Sequence, residues 1–340
     1  MKKLVSILLT LVMVLGLTTA AFATEVSDPE ASPSTTTQPL EDTSTVTIKK
    51  TYKLANDGTT SPEEIFKFTI ERFGVSDAAE SVNVGNMPLP DIDNVSYKKG
   101  EAGSTTAAEK TITVTLPTYT SVGIYTYTIT EIAGKTAGVT YYEDPIRLVV
   151  TVTNGANGSL VRTAAVHTEA TEKKSDKITN TYSAGSLSIT KEVTGNLGDT
   201  SKYFKVTVAL NGEEDKIYAE NYTVSGGSYP TNPKTINVNG SAEFYLKDGD
   251  AITIANLPYG VTYTVVEDSY DSEGYTATYD FGDMNLKIDS ASDTVTITNN
   301  KGVVVDTGIT MDSLPFILIL GVALVGVTGM LIKRRLSADR

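Results

Sequence analysis

Tyr127-Thr128-Ile129-Thr130-Glu131 decides the fold. Large apolar side chains alternate with threonine, which is the period of a strand with one face in a core and the other in water. Working outward, Tyr125 extends the inner face upstream. Phe66, Phe68 and Ile70, Ile112 and Val114, and Val46 and Ile48 repeat the rhythm with threonines between many of them. β-Branched and aromatic residues fit such half-buried pleated surfaces. Helical periodicity is nearly absent, and Gly, Asn and Asp clusters separate the runs. Asn157-Gly158, between runs ending near Thr153 and starting near Leu160, marks a hairpin. Many short antiparallel strands joined in this way predict an all-β architecture of immunoglobulin-like sandwiches.

The grammar then restarts. Ile48-Lys49-Lys50 answers to Ile189-Thr190-Lys191, and Phe66-Lys67-Phe68 to Phe204-Lys205-Val206. Tyr127 to Glu131 answers to Tyr263-Thr264-Val265-Val266-Glu267, and Ile178-Thr179-Asn180 to Ile297-Thr298-Asn299. Four blocks in one order imply an internal repeat, hence two tandem sandwiches at 44–184 and 185–301. The small residues Ser183-Ala184-Gly185-Ser186 read as a short linker between them. The longer stretch between glutamate and asparagine in the first copy gives that domain an extra hairpin late on.

Both ends carry processing signals. Lys2 and Lys3, an apolar run from Leu4 to Leu17 and Ala21-Phe22-Ala23 have the layout of a secretory signal peptide over 1–23. Residues 24–43, rich in Ser, Thr, Pro and acid, read as a flexible leader. In the tail, 302–340, a nearly uncharged stretch at 314–332 precedes Lys333, Arg334 and Arg335, the pattern of a membrane span with a cytoplasmic basic end. The chain carries a net charge of −13 at pH 7, which argues against nucleic acid as a partner. It has no cysteine, so covalent bracing of an exported domain must come from other side chains.

Parity supplies candidates. Val46, Ile48 and Lys50 share one face of a strand, as do Leu187, Ile189 and Lys191, so each lysine is the next inward position after two core residues. Lys49 points outward. The same count turns Glu131, Glu267, Asn180 and Asn299 inward and Asn300 outward. Three polar groups per domain aimed into an apolar interior are costly as separate burials. Desolvation lowers a lysine pKa and raises a glutamate pKa, which sets a neutral amine beside a protonated acid. Such an acid polarises a carboxamide and shuttles protons while the amine attacks and ammonia leaves. The product is a neutral amide.

On these blocks the mature chain resembles the two-domain streptococcal T-antigen type of major pilin, built from isopeptide-linkage (Cna B-type) domains. The resemblance implies Lys50 joined to Asn180 under Glu131, and Lys191 joined to Asn299 under Glu267. Val193-Thr194-Gly195 and Leu257-Pro258-Tyr259-Gly260-Val261 belong to the same pattern. Val304-Val305-Asp306-Thr307-Gly308, followed by the apolar span and the basic tail, resembles a sortase cell-wall sorting signal, with Val305 where that family has proline. It implies cleavage between Thr307 and Gly308 and transfer to a lysine on an identical subunit. The family places that acceptor shortly before the last strand of the first domain, where Lys173 and Lys174 stand. The expected partners are therefore a sortase transpeptidase, further copies of the chain, peptidoglycan or other pilins, and a host surface ligand.

No cofactor or metal is expected, and the expected location is a cell-wall pilus reached through transient membrane anchoring. The alternative is a monomeric wall- or membrane-anchored adhesin with isopeptide-braced stalk domains. His167 lies in an alternating strand without a nucleophile motif and reads as a surface or edge residue. Asp280, Gly282 and Asp283 lack calcium-site spacing. An enzyme acting on external substrates is not expected.

Overall fold

The computed structural model describes residues 41–103, 108–168, 175–282 and 285–304. The expected signal peptide, most of the leader, Lys173, Lys174, Thr307, Gly308, Asp283 and the apolar segment 314–332 lie outside the described residues. Among the described residues no helix is long and apolar enough to cross a membrane.

The architecture is all-β, in two sandwiches. In the first, strands β1 (Thr45–Leu54), β3 (Asp91–Ile92), β5 (Ala108–Thr115), β7 (Val139–Thr140) and β10 (Lys177–Tyr182) form one sheet in the order β3-β5-β1-β10-β7. Strands β2 (Glu64–Ser76), β4 (Val95–Tyr97), β6 (Gly123–Ile132), β8 (Ile146–Asn154) and β9 (Leu160–His167) form the other, in the order β4-β2-β6-β8-β9. The core between the sheets holds Ile48, Tyr52, Phe66, Tyr97, Tyr125, Tyr127 and Ile129. Alternation set this arrangement. β6 buries Tyr125, Tyr127, Ile129 and Glu131 on one face, as the period of two requires.

The second sandwich repeats the plan with fewer strands. Strands β11 (Ala184–Thr194), β13 (Tyr222–Gly226), β14 (Thr235–Ile236), β16 (Ala251–Pro258), β18 (Thr276–Phe281) and β19 (Ser292–Asn300) order as β14-β13-β16-β11-β19-β18. They face the three-stranded sheet of β15 (Gly240–Leu246), β12 (Phe204–Asn211) and β17 (Thr262–Glu267), in the order β15-β12-β17. The hairpin β8–β9, turning through Ala156–Gly158, has no counterpart among the described residues of this sandwich. It is the extra hairpin that the longer spacing predicts.

Two features depart from the sequence reading. The first and last strands of each sandwich pair in parallel, β1 with β10 and β11 with β19, among neighbours that are otherwise antiparallel. In addition, Ser183 to Ser186 is not a linker. Only Ser183 separates β10 from β11; Ala184 is fully buried and pairs with Pro258. The residues are small because backbones approach closely, not because the chain is loose: a Cβ on Gly185 would meet the Ser290 carbonyl oxygen at 2.1 Å.

Side chains lock this junction on both sides. Asn256 accepts from the Thr60 N–H at 2.7 Å and donates to the Thr60 carbonyl at 3.0 Å. Asn56 donates to Ala184 O and to the Tyr259 hydroxyl. Thr136 and Ile217 form a parallel bridge across it. β1 and β10 run toward the junction and β11 and β19 run away from it, so Ser175 and Lys301 sit at opposite poles.

Candidate cross-linking sites

Each sandwich brings one lysine, one glutamate and one asparagine together in its core. In the first, Lys50 on β1 is fully buried, Asn180 on β10 is 1 % exposed and Glu131 on β6 is 5 % exposed. The lysine and the asparagine come from neighbouring parallel strands of one sheet, and the glutamate comes from the sheet across the core. Lys50 stands level with Ile178, and Asn180 lies two residues further along, opposite Tyr52. Two positions keep the same face, so the long lysine side chain reaches the amide along the strand. The second sandwich reproduces this offset: Lys191 is level with Ile297, and Asn299 lies opposite Val193. The glutamates match too, with Glu131 opposite Phe68 and Glu267 opposite Val206.

In the first site the three groups satisfy one another. Lys50 Nζ donates to Glu131 Oε2 and to Asn180 Oδ1, and Asn180 Nδ2 donates to Glu131 Oε1. One carboxyl oxygen therefore rests on each reactant. The Phe66 ring lies beneath the amine, 4.4 Å from Nζ to its centroid. The Tyr97 hydroxyl pins the strand by donating to the Lys50 carbonyl at 2.6 Å. Burial pulls the Lys50 amine down to about 8, against the opposing pull of Glu131.

The second site has the same parts in a looser arrangement. Asn299 Nδ2 donates to Glu267 Oε1 at 2.6 Å. Lys191 Nζ lies 3.4 Å from Glu267 Oε2, inside ion-pair range but off the direction of a hydrogen bond, and it donates instead to the carbonyls of Glu192 and Ile297. Glu267 Oε2 and Asn299 Oδ1 are buried without a hydrogen-bond partner. The Phe204 ring takes the place of Phe66, 4.6 Å from Nζ. Burial lowers the Lys191 pKa and raises that of Glu267, each opposed by its partners in the site. The Glu267 N–H is held by the Tyr279 hydroxyl at 2.9 Å.

Lys49 is half-buried, its side chain turned outward to pair with Glu109, and Asn300 is exposed, as their parity requires. His167 is buried at the end of edge strand β9, opposite Arg147, and not on the surface. Among the described residues no cluster of acidic or histidine side chains is arranged to hold a metal ion. The rings under the lysines were not singled out in the sequence, although Phe66 and Phe204 open the same repeated block.

Comparison with known proteins finds relatives of this chain and of its fold. Residues 46–183 match the family described as "Spy0128-like isopeptide containing domain", and residues 185–301 match a domain family of unknown function, DUF7601. A pilin of Streptococcus pyogenes serotype M1 is 27% identical over 310 residues, 85% of this chain and 90% of the relative. The pilus tip adhesin Cpa of Streptococcus pyogenes is 30% identical over 130 residues, 37% of this chain and 18% of that protein. The crystal structure of the major pilin from Streptococcus pyogenes superposes with a TM-score of 0.51 at 24% identity, over 76% of this chain and 99% of that one. Its fold is thus shared across both sandwiches. The chain is a pilin homologue of the streptococcal T-antigen type, whose first sandwich carries the isopeptide-containing domain of that family.

Proposed function

We propose that the protein is a pilus subunit whose two domains, 44–184 and 185–301, each seal themselves with one intramolecular amide. The observation that carries this reading is the bridging carboxyl: in the first site Glu131 touches the lysine nitrogen with one oxygen and the asparagine nitrogen with the other. In the reaction, neutral Lys50 Nζ attacks Asn180 Cγ. The Nζ–Cγ bond forms, the Cγ–Nδ2 bond breaks and ammonia leaves, with Glu131 taking the proton from Nζ and delivering it to Nδ2. Lys191, Asn299 and Glu267 take the same roles in the second domain. Preorganisation in a dry core supplies the rate, and each site acts once, on itself.

Head-to-tail assembly fits the topology. A transpeptidase of the sortase type cuts between Thr307 and Gly308 and passes the Thr307 carbonyl to Lys173 or Lys174 of the next subunit. Ser175, just after that lysine pair, and Lys301, on the way to the cleavage motif, sit at opposite poles. The product is a covalent polymer on the cell surface, anchored to peptidoglycan or to other pilins and available to a host ligand. Immunoblots of wall extracts test this. Polymerisation predicts a ladder of high-mass species that disappears when Lys173 and Lys174 are both replaced by alanine, whereas a single band from the unaltered chain refutes it.

A further inference from the structure

Val193-Thr194-Gly195-Asn196 follows the second cross-linking lysine, and the amide chemistry uses none of its side chains. The structure gives this turn and the residues after it a different task. Beyond the end of β19 the chain does not leave the sandwich. Lys301 N donates to Thr194 O at 3.0 Å, and Leu197 N donates to Lys301 O at 3.0 Å. The Asn196 carboxamide then pairs with Val303 in both directions, Nδ2 to Val303 O at 3.0 Å and Val303 N to Oδ1 at 2.9 Å. An amide side chain offering one donor and one acceptor imitates a strand edge. The ladder of β11 and β19 is thereby prolonged by three residues. Thr194 Oγ1 accepts from Asn300 Nδ2, and Lys301 Nζ stands over the Tyr275 ring.

The turn is shaped for this seat. Gly195 has φ +85°, and a Cβ there would lie 2.2 Å from the Lys301 carbonyl oxygen. No other residue type allows the stem so close. The held Val303 is 51 % exposed, and Val304, just past the seat, is 96 % exposed.

We propose that the turn Thr194–Gly198 is a clamp on the C-terminal stem, with Asn196 as its positioning residue, and that it presents the cleavage motif to the transpeptidase from a fixed exit point at the pole. By sequence only three residues separate the clamped Val303 from Thr307, and the four Cα steps make a tether of roughly 14 Å at full stretch. A short tether from a fixed point removes conformational freedom that the transpeptidase must otherwise order. The same clamp shields the Lys301–Gly302 bond. The role in transfer rests on the sorting reading above; the clamp itself does not.

Trypsin applied to bacteria carrying the full chain tests both parts, because Lys301 is itself a trypsin site. Losing the two Asn196 hydrogen bonds in Asn196→Ala opens the stem and speeds cleavage after Lys301 about tenfold. Cleavage at exposed Lys216 stays unchanged, which shows that the sandwich is folded. Asn196→Asp, which keeps the acceptor for Val303 N–H and loses the donor, falls between. In the same cells the yield of high-mass polymer drops in the order wild type, Asp, Ala. Equal Lys301 cleavage in all three overturns the clamp, and faster cleavage with an undiminished ladder overturns its part in transfer. A wild-type chain that forms no ladder defeats the sorting reading, and the cleavage rates then decide the clamp by themselves.

Discussion

A lysine amine fully enclosed between two sheets, over the face of a phenylalanine, gives up hydration that a surface lysine keeps. Lys50 therefore titrates near 8 and not near its ordinary 10.5. The sign follows directly: below pH 8 the amine is protonated and has no lone pair to attack with, and above pH 8 it is neutral. At pH 7 about one tenth of the molecules hold the reactive form. The rate of the first amide should rise through pH 8 and level off above it. Cell-free synthesis with timed quenching and mass analysis of the Lys50–Asn180 peptide measures this. A rate independent of pH from 6 to 9 contradicts the nucleophile's assignment. The second site lacks the mutual saturation of the first, since Asn299 Oδ1 receives no hydrogen bond and Glu267 Oε2 meets Lys191 Nζ only as an ion pair at 3.4 Å. Its amide should form more slowly in the same time course.

The parallel pairing of β1 with β10 and of β11 with β19 would make each proposed cross-link a tie between the beginning and end of a domain. Closing a loop of more than a hundred residues removes chain entropy worth ~5 kcal/mol from the unfolded state, on the model used for disulfides. Asn299→Ala should therefore lower the melting temperature of the second domain by on the order of 15 °C, read by calorimetry. An unchanged melting temperature contradicts a tie at that site. These elements were unevenly legible. Strand identity and facing direction followed from the period of two, so Lys50, Glu131, Asn180 and their repeats could be picked out as inward residues. The pairing partner of a strand is fixed by contacts far along the chain, and no local pattern around Lys50 announces that β10 runs parallel beside it. Ser183 to Ser186 misled for a related reason: small residues serve close packing as well as looseness, and only the neighbour at Ser290 tells which.

Across the whole molecule the two proposed amides would differ in what they carry. In the proposed polymer, tension entering at the lysine pair before β10 and leaving past Val303 would cross β10, the junction at Ser183 and β11 as far as Lys191. It would then pass through the second amide to Asn299. The first amide would lie off that path and guard its domain against unfolding from the amino end. Pulled between those attachment points, the Glu267→Ala subunit should unravel its second domain. Glu131→Ala should stay as short as wild type, and single-molecule extension measures the difference. Equal extension in both variants contradicts this path. Under rising load the junction should open before either amide breaks, because only hydrogen bonds close it. Asn56, Asn256 and the Thr136–Ile217 bridge hold it on both sides.

Intact mass of the folded two-domain region tests the central claim most directly. The account predicts a mass two ammonia molecules below the formula value, with Glu131→Gln and Glu267→Gln each regaining one because an amide cannot shuttle the proton. A wild-type mass equal to the unmodified formula contradicts it.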